Sequence, residues 1–215
     1  MGIMMIQAQR TGIQGKTDAR RKFGRFKAEK PKAVRTADVR KHNPKIDMLL
    51  EEFRKLELVL GKDMSESQQD FSRLDYSPSD VMELSILASS MSEEDIPGTG
   101  FYPQRAAVFL NSLINSGKDG DYIISVNPEK FYGLLTLNCK NVRVIGNVCT
   151  PFAHKMKSGT VVLEGDVGVS VGTEMSGGEI HIEGEIGNLE ESIRRCNETI
   201  VHGKIFHKGK LIVDK

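Results

Sequence analysis

A chain of 215 residues holds one or two domains. Only 39% is hydrophobic and there is no Trp, so part of it is too poor in apolar mass to build a core. The net charge of +1 hides an asymmetry: residues 1–45 carry 13 Lys and Arg against 3 Asp and Glu, and the remainder carries 17 against 26. A basic arm on an acidic body follows. No apolar stretch approaches the roughly 18 residues that a membrane span requires. The three cysteines, Cys139, Cys149 and Cys196, form no C-x-x-C pair, which argues against a disulfide framework or a zinc site and favours a reducing, cytoplasmic setting. Met1–Ile6 is too short an apolar run for a signal peptide, and Ile6 breaks the myristoylation pattern.

Residues 1–45 form a basic arm expected to be disordered alone. Arg20, Arg21, Lys22, Arg25, Lys27, Lys30 and Lys32 lie close together, with Phe23 and Phe26 between them. Such a cluster suits phosphate neutralisation and base stacking, and equally a solubilising tail or a peptide that folds on an acidic partner.

Residues 46–119 read as helical. Ile46, Leu49, Leu50, Phe53, Leu56 and Leu60 recur at three- and four-residue spacing, and Gly61 marks a stop. Residues 62–76 read as a polar loop. Ser77-Pro-Ser-Asp80 then resembles a helix start, with Val81, Leu84, Ile86 and Leu87 as its apolar face. Glu93 to Gly100 is a break, and Gln104 to Ile114 is a third helix, ending at Ser116-Gly117.

From residue 120 the spacing changes to alternation. Asp121–Val126 and Leu134–Leu137 read as strands. Gly146, Gly165, Gly184 and Gly203 then follow one another at 19-residue intervals. Alignment on them places Val142, Val161, Ile180 and Thr199 in one column and Val144, Leu163, Ile182 and Val201 in another. Val148, Val167, Ile186 and Ile205 form a third. The columns between are mixed, so alternate side chains face in and out. A repeat near 20 residues with stacked β-branched columns predicts a parallel β-helix of about four to five coils. Gly146, Gly165, Gly168, Gly172, Gly177, Gly178, Gly184 and Gly203 are read as its turns, where Gly permits positive φ. An anion-cradling loop is the weaker reading, because no G-x-G-x-x-G opens a helix after a strand.

Gly165-Asp-Val-Gly-Val-Ser-Val-Gly172 and Met175-Ser-Gly-Gly-Glu-Ile-His-Ile-Glu-Gly184 resemble the GXGXG β-helix domain found in the large chain of glutamate synthase and in one of the chains of formylmethanofuran dehydrogenase. The likeness spans residues 120–215. It implies a right-handed β-helix that packs on other domains or subunits and holds no redox centre itself. Arg194, Cys196 and Asn197 depart from the pattern, which puts the corner after Gly184 in question.

The fold expected is thus a short right-handed parallel β-helix, mainly β, capped by N-terminal helices. The function expected is a non-catalytic scaffold or docking subunit, accessory to a redox enzyme assembly, with a protein partner or a second copy bound. The alternative is a nucleic-acid- or ribosome-associated protein held through residues 10–45. No catalytic, cofactor or metal residues are assigned. His181, His202 and His207 read as surface histidines. Glu164 with Glu183, and Asp166 with Glu185, read as an acidic ladder relieved by Lys204.

Overall fold

The computed structural model describes residues 43–58, 63–92, 94–95 and 102–215. The basic cluster from Arg20 to Lys32, the stop at Gly61 and most of the break between Glu93 and Gly100 lie outside these residues. Asn43–Lys215 is one compact unit. It is built from α1 (Pro44–Lys55), α2 (Pro78–Ser90), α3 (Tyr102–Ser116), β1 (Asp121–Ser125), β2 (Asn141–Ile145), β3 (Thr160–Glu164), β4 (Glu179–Ile182), α4 (Leu189–Thr199), β5 (Lys204–His207) and β6 (Lys210–Asp214). The six strands form one sheet in sequence order, parallel through β5 and closed by an antiparallel β6. Among the described residues the chain is a parallel β-solenoid with four α-helices.

The stacking has a simple cause. Tyr122 pairs with Val142, Val142 with Val161 and Val161 with Ile180, steps of 20, 19 and 19 residues. Ile124, Val144, Leu163 and Ile182 form a parallel file two residues on. All eight side chains are at most 2% exposed. Burial of an aliphatic side chain of this size contributes about 1.5–3 kcal/mol, so these files are the principal stabilising element of the coils. A second wall is formed by Val148, Val167 and Ile186, and a third by Phe152 over Val171.

Leu134–Leu137 is not a strand. It is a corner in which Leu135 and Leu137 are left-handed, with φ of 61° and 60°. The same pair of left-handed positions recurs at Ala153 and Lys155, then at Gly172 and Glu174. Only one of the six is glycine. Apolar residues give the segment the look of a strand; Leu134 and Leu135 do enter the core, but from a bend.

The repeat also breaks where the glycine spacing suggests that it continues. Ile205, not Thr199, lies beneath Ile180, a step of 25 residues. The extra length is taken up by α4, which replaces the expected corner. Asn188 caps it by accepting from the Glu191 N–H at 3.0 Å. Cys196 is buried under Val171, with Sγ 3.2 Å from the Val171 carbonyl. Ile200 is buried beside Met175, whose carbonyl accepts from the Val201 N–H at 2.9 Å.

The glycines therefore have two roles. Gly165 and Gly184 do not have positive φ; a Cβ on either would lie 2.3 Å from the carbonyl oxygen of the glycine one coil earlier. Their role is close approach of backbones. Gly203 does not join that file. It follows Gly178, whose carbonyl accepts from the Lys204 N–H at 3.1 Å, and both have positive φ, +137° and +92°. Gly146 and Gly172 are also positive, whereas Gly168 and Gly177 press against Thr150 and the Lys157 carbonyl.

The first coil is closed by helices. Ser77 and Asp80 form a capping box that starts α2. Val81, Leu84 and Ala88 face the core, while Ile86 of the expected apolar face points outward at 48% exposure. In α3 nearly every side chain is buried, because it lies between α1, which stacks Phe53 on Phe109, and the solenoid.

Candidate docking surface

Both ends of the sheet need covering, since an open edge offers unpaired N–H and C=O groups. At the first end the cover is made by polar side chains one helical turn apart. Ser85 Oγ accepts from the Ser125 N–H at 3.0 Å, and Ser89 Oγ donates to the Ser125 carbonyl at 3.2 Å. On α3, Asn111 accepts from the Leu135 N–H at 2.6 Å and donates to the Gly133 carbonyl at 2.9 Å. Asn115 accepts from the Cys139 N–H at 3.2 Å. Spacing of i and i+4 puts each pair on one helix face, so the helices supply the hydrogen bonds that a preceding coil would have made. Sequence reasoning misses these four residues. Their signal is a polar pair at helical spacing within an otherwise apolar stretch.

At the other end β6 folds back through a two-residue turn, Lys208-Gly209, with φ of 50° and 75°. These values fit a type I′ hairpin, whose twist matches the strands it joins. β6 is the last strand of the sheet. Its pairing with β5 is interrupted by a bulge, and Lys210 and Asp214 stand at its ends. Bulges and edge charges discourage further pairing.

The outward face runs as a column through Ile123, Arg143, Val162, His181 and Phe206. His181 and Phe206 stack at 4.5 Å with planes 4° apart. Arg143 Nε donates to Glu164 at 2.7 Å. The acidic ladder is largely occupied internally. Asp166 Oδ1 accepts from the Glu185 N–H at 2.8 Å, repeating the bond from the Asp166 N–H to Asn147 one coil earlier. The cation that relieves Glu185 is Lys208, not Lys204. The insertion of α4 shifts Lys204 to a place opposite Glu179 and Asp214.

The histidines do not converge. His181 faces Glu179 at 3.4 Å, His207 Nε2 lies 3.0 Å from the Gly184 carbonyl, and His202 is exposed. Among the described residues no group of three or more His, Cys, Asp or Glu is placed to hold a metal ion. Cys139 and Cys149 are exposed, while burial pushes the Cys196 thiol up to about 11. No described helix is long and apolar enough to cross a membrane.

One part of the side surface differs from the rest. Among the described residues seven large hydrophobic side chains are exposed, and four of them lie together in the fold: Met82 and Ile86 on α2, Ile123 on β1, against which α2 packs, and Ile145 on the neighbouring β2. Two shallow grooves, of about 290 and 200 Å³, flank Ile123 and share Asp121. The molecule is in this sense a capped parallel β-solenoid with an apolar seam on its side. No protein-family model, curated protein or solved structure matches the chain.

Proposed function

We propose that this chain is a non-catalytic docking subunit. Its solenoid is a rigid post, and a protein partner binds its side. The observation that carries this reading is the cap that Ser85, Ser89, Asn111 and Asn115 set on the first coil and the bulged, charged edge of β6 at the other end, together with an apolar seam left open laterally. A capped first coil and a bulged, charged last strand both discourage extension by strand addition, so recognition falls to side chains on the flank. The resemblance to the GXGXG domain makes a redox enzyme assembly the class of partner to look for first. Isolation of the tagged full chain from its native host, followed by mass spectrometry, tests the reading. A stoichiometric protein partner, and no turnover by the separated chain, is the expected result. An isolated monomer that turns over substrate overturns it.

The composition of residues 1–45 supports a second reading, nucleic-acid binding through Arg20, Arg21, Lys22, Arg25, Lys27, Lys30 and Lys32. Affinity for a nucleic acid is then lost on deletion of this segment and falls steeply with salt. Binding indifferent to salt removes that reading.

A further inference from the structure

The open seam has a definite composition, and it narrows the kind of partner. We infer that the seam formed by Met82, Ile86, Ile123 and Ile145 receives a basic amphipathic segment of a partner protein. This rests on the docking reading above and gives it a location and a chemistry.

The apolar half of the case is geometric. Ile123 and Ile145 project outward from neighbouring strands, and Ser125, which pairs with Ile145, is the residue that Ser85 and Ser89 fasten to α2. That fastening holds Met82 and Ile86 beside the strands at a fixed height. Half-buried Val162 continues the surface on β3. Ile86 is 48% and Ile123 38% exposed, although both belong to segments whose other aliphatic side chains are mostly buried. An apolar cluster of this kind on a soluble surface marks an interaction site more often than scattered single residues do. The two grooves beside Ile123 lie at or below the small end of the roughly 300–1,000 Å³ typical of small-molecule sites. They are of the size to take side chains from a docked segment.

The charged half comes from the residues around it. α2 and β1 together carry Asp80, Glu83 and Asp121 and no Lys or Arg. Asp80 is engaged in the helix cap. Glu83 and Asp121 are exposed, and they accept hydrogen bonds from the neutral amides of Asn43 and Asn141. The cations around it are engaged elsewhere: Arg143 is bound to Glu164, Lys140 to Asp119 and Lys45 to Asp75. The seam therefore presents grease bordered by two carboxylates that take no part in the ion pairs of the described residues. Charge complementarity selects a partner with Lys or Arg flanking its apolar stripe and repels an acidic one.

The test uses the full chain and a pair of synthetic helical peptides, one with a Leu face flanked by Lys and one with the same Leu face but Glu in place of Lys. Fluorescence anisotropy is expected to show the Leu/Lys peptide binding at least about tenfold more tightly than the Leu/Glu peptide. The double variant Ile86→Lys, Ile123→Lys should lose about tenfold in affinity for the Leu/Lys peptide. Glu183→Lys, an exposed position just after β4, makes the same change in net charge and should leave binding near that of the parent. All three chains should melt at similar temperatures, because the substituted side chains are exposed. Equal binding of the two peptides, or equal loss in the Glu183 variant, overturns the seam. A parent chain that sediments as a dimer while the double variant is a monomer overturns it too, since the occupant is then a second copy. If a native partner stays with the double variant, the seam falls while the docking reading stands. If the parent chain retains no partner at all, the docking reading itself fails.

Discussion

The three regular turns and the fourth turn solve one problem by different means. From β1 to β4 the chain returns after 20, 19 and 19 residues, and its backbone lies close enough to the previous coil that a methyl group would not fit at Gly165. From β4 to β5 it returns after 25, and the added residues wind into α4. The regular turns are held by backbone stacking, where each coil depends on the shape of the one before. The last keeps the backbone pairing of β5 on β4, but its corner is replaced by side chains set into the core from a helix, Ser192 to the Val169 carbonyl at 2.7 Å and Cys196 under Val171. A repeat can therefore lose a stacked corner without leaving its core open, provided that another element covers the inward files.

The sharpest way to break this comparison is to add one methyl group to a regular turn and one to the hairpin that follows the last. In Gly165→Ala the new Cβ meets the Gly146 carbonyl at 2.3 Å, and backbone has no rotamer by which to yield. A loss of about 3–5 kcal/mol is expected in urea unfolding, at the severe end for single substitutions. Gly209→Ala in the hairpin has φ of +75° but open space around the added atom, so only the left-handed backbone opposes it, at about 1 kcal/mol. Equal losses in the two variants would mean that close backbone approach is not what holds the coils together.

The ends of the solenoid sharpen it further. Asn111→Ala removes one acceptor and one donor that serve the buried corner at Gly133 and Leu135. Thr136 Oγ1 still donates to the Gly133 carbonyl at 2.9 Å, so the Leu135 N–H is the group left orphaned, and a loss of about 1–3 kcal/mol is expected. Hydrogen exchange should show the Leu135 amide losing protection ahead of the β3 amides. On α4, Asn188→Ala removes only the helix cap, and a loss of about 1 kcal/mol is expected from denaturant midpoints.

What is legible in the sequence follows from which physics is local. Alternation and a 19-residue interval reveal the inward files, because each file is a column of like residues. The same interval misplaces Gly203, since equal spacing is not equal stacking; the switch from strand to helix spacing over Leu189–Thr199 is the signal against it. The left-handed corners at Leu135, Lys155 and Glu174 leave no mark, because their residue types do not favour that conformation. They are imposed by tertiary contacts such as the Asn111 bonds. The docking seam is legible in part. Spacing alone assigns Ile86 inward, yet Ser85 takes the inward position, because the edge of β1 needs a hydrogen-bond partner more than the core needs another methyl group.

The smallest expected effect concerns the loop before α2, which is tied to the regular coils by a charge. Lys155, at a left-handed corner, donates to Asp63 at 2.5 Å, and this bond holds the Asp63 carboxyl down at about 2. A carboxyl depressed on folding binds fewer protons in the native state than in the unfolded one, so it adds stability above its unfolded value of 3.8. That contribution fades as pH falls from about 4 to about 2 and is gone once both forms are protonated. The side chains are about a third exposed, so water screens the pair and the effect stays small. Urea midpoints for the parent and for Asp63→Asn should differ slightly at pH 6 and converge toward pH 2. A difference that stays constant across this range would show that the loop is held by packing, and that its charge contributes nothing to joining it to the stacked turns.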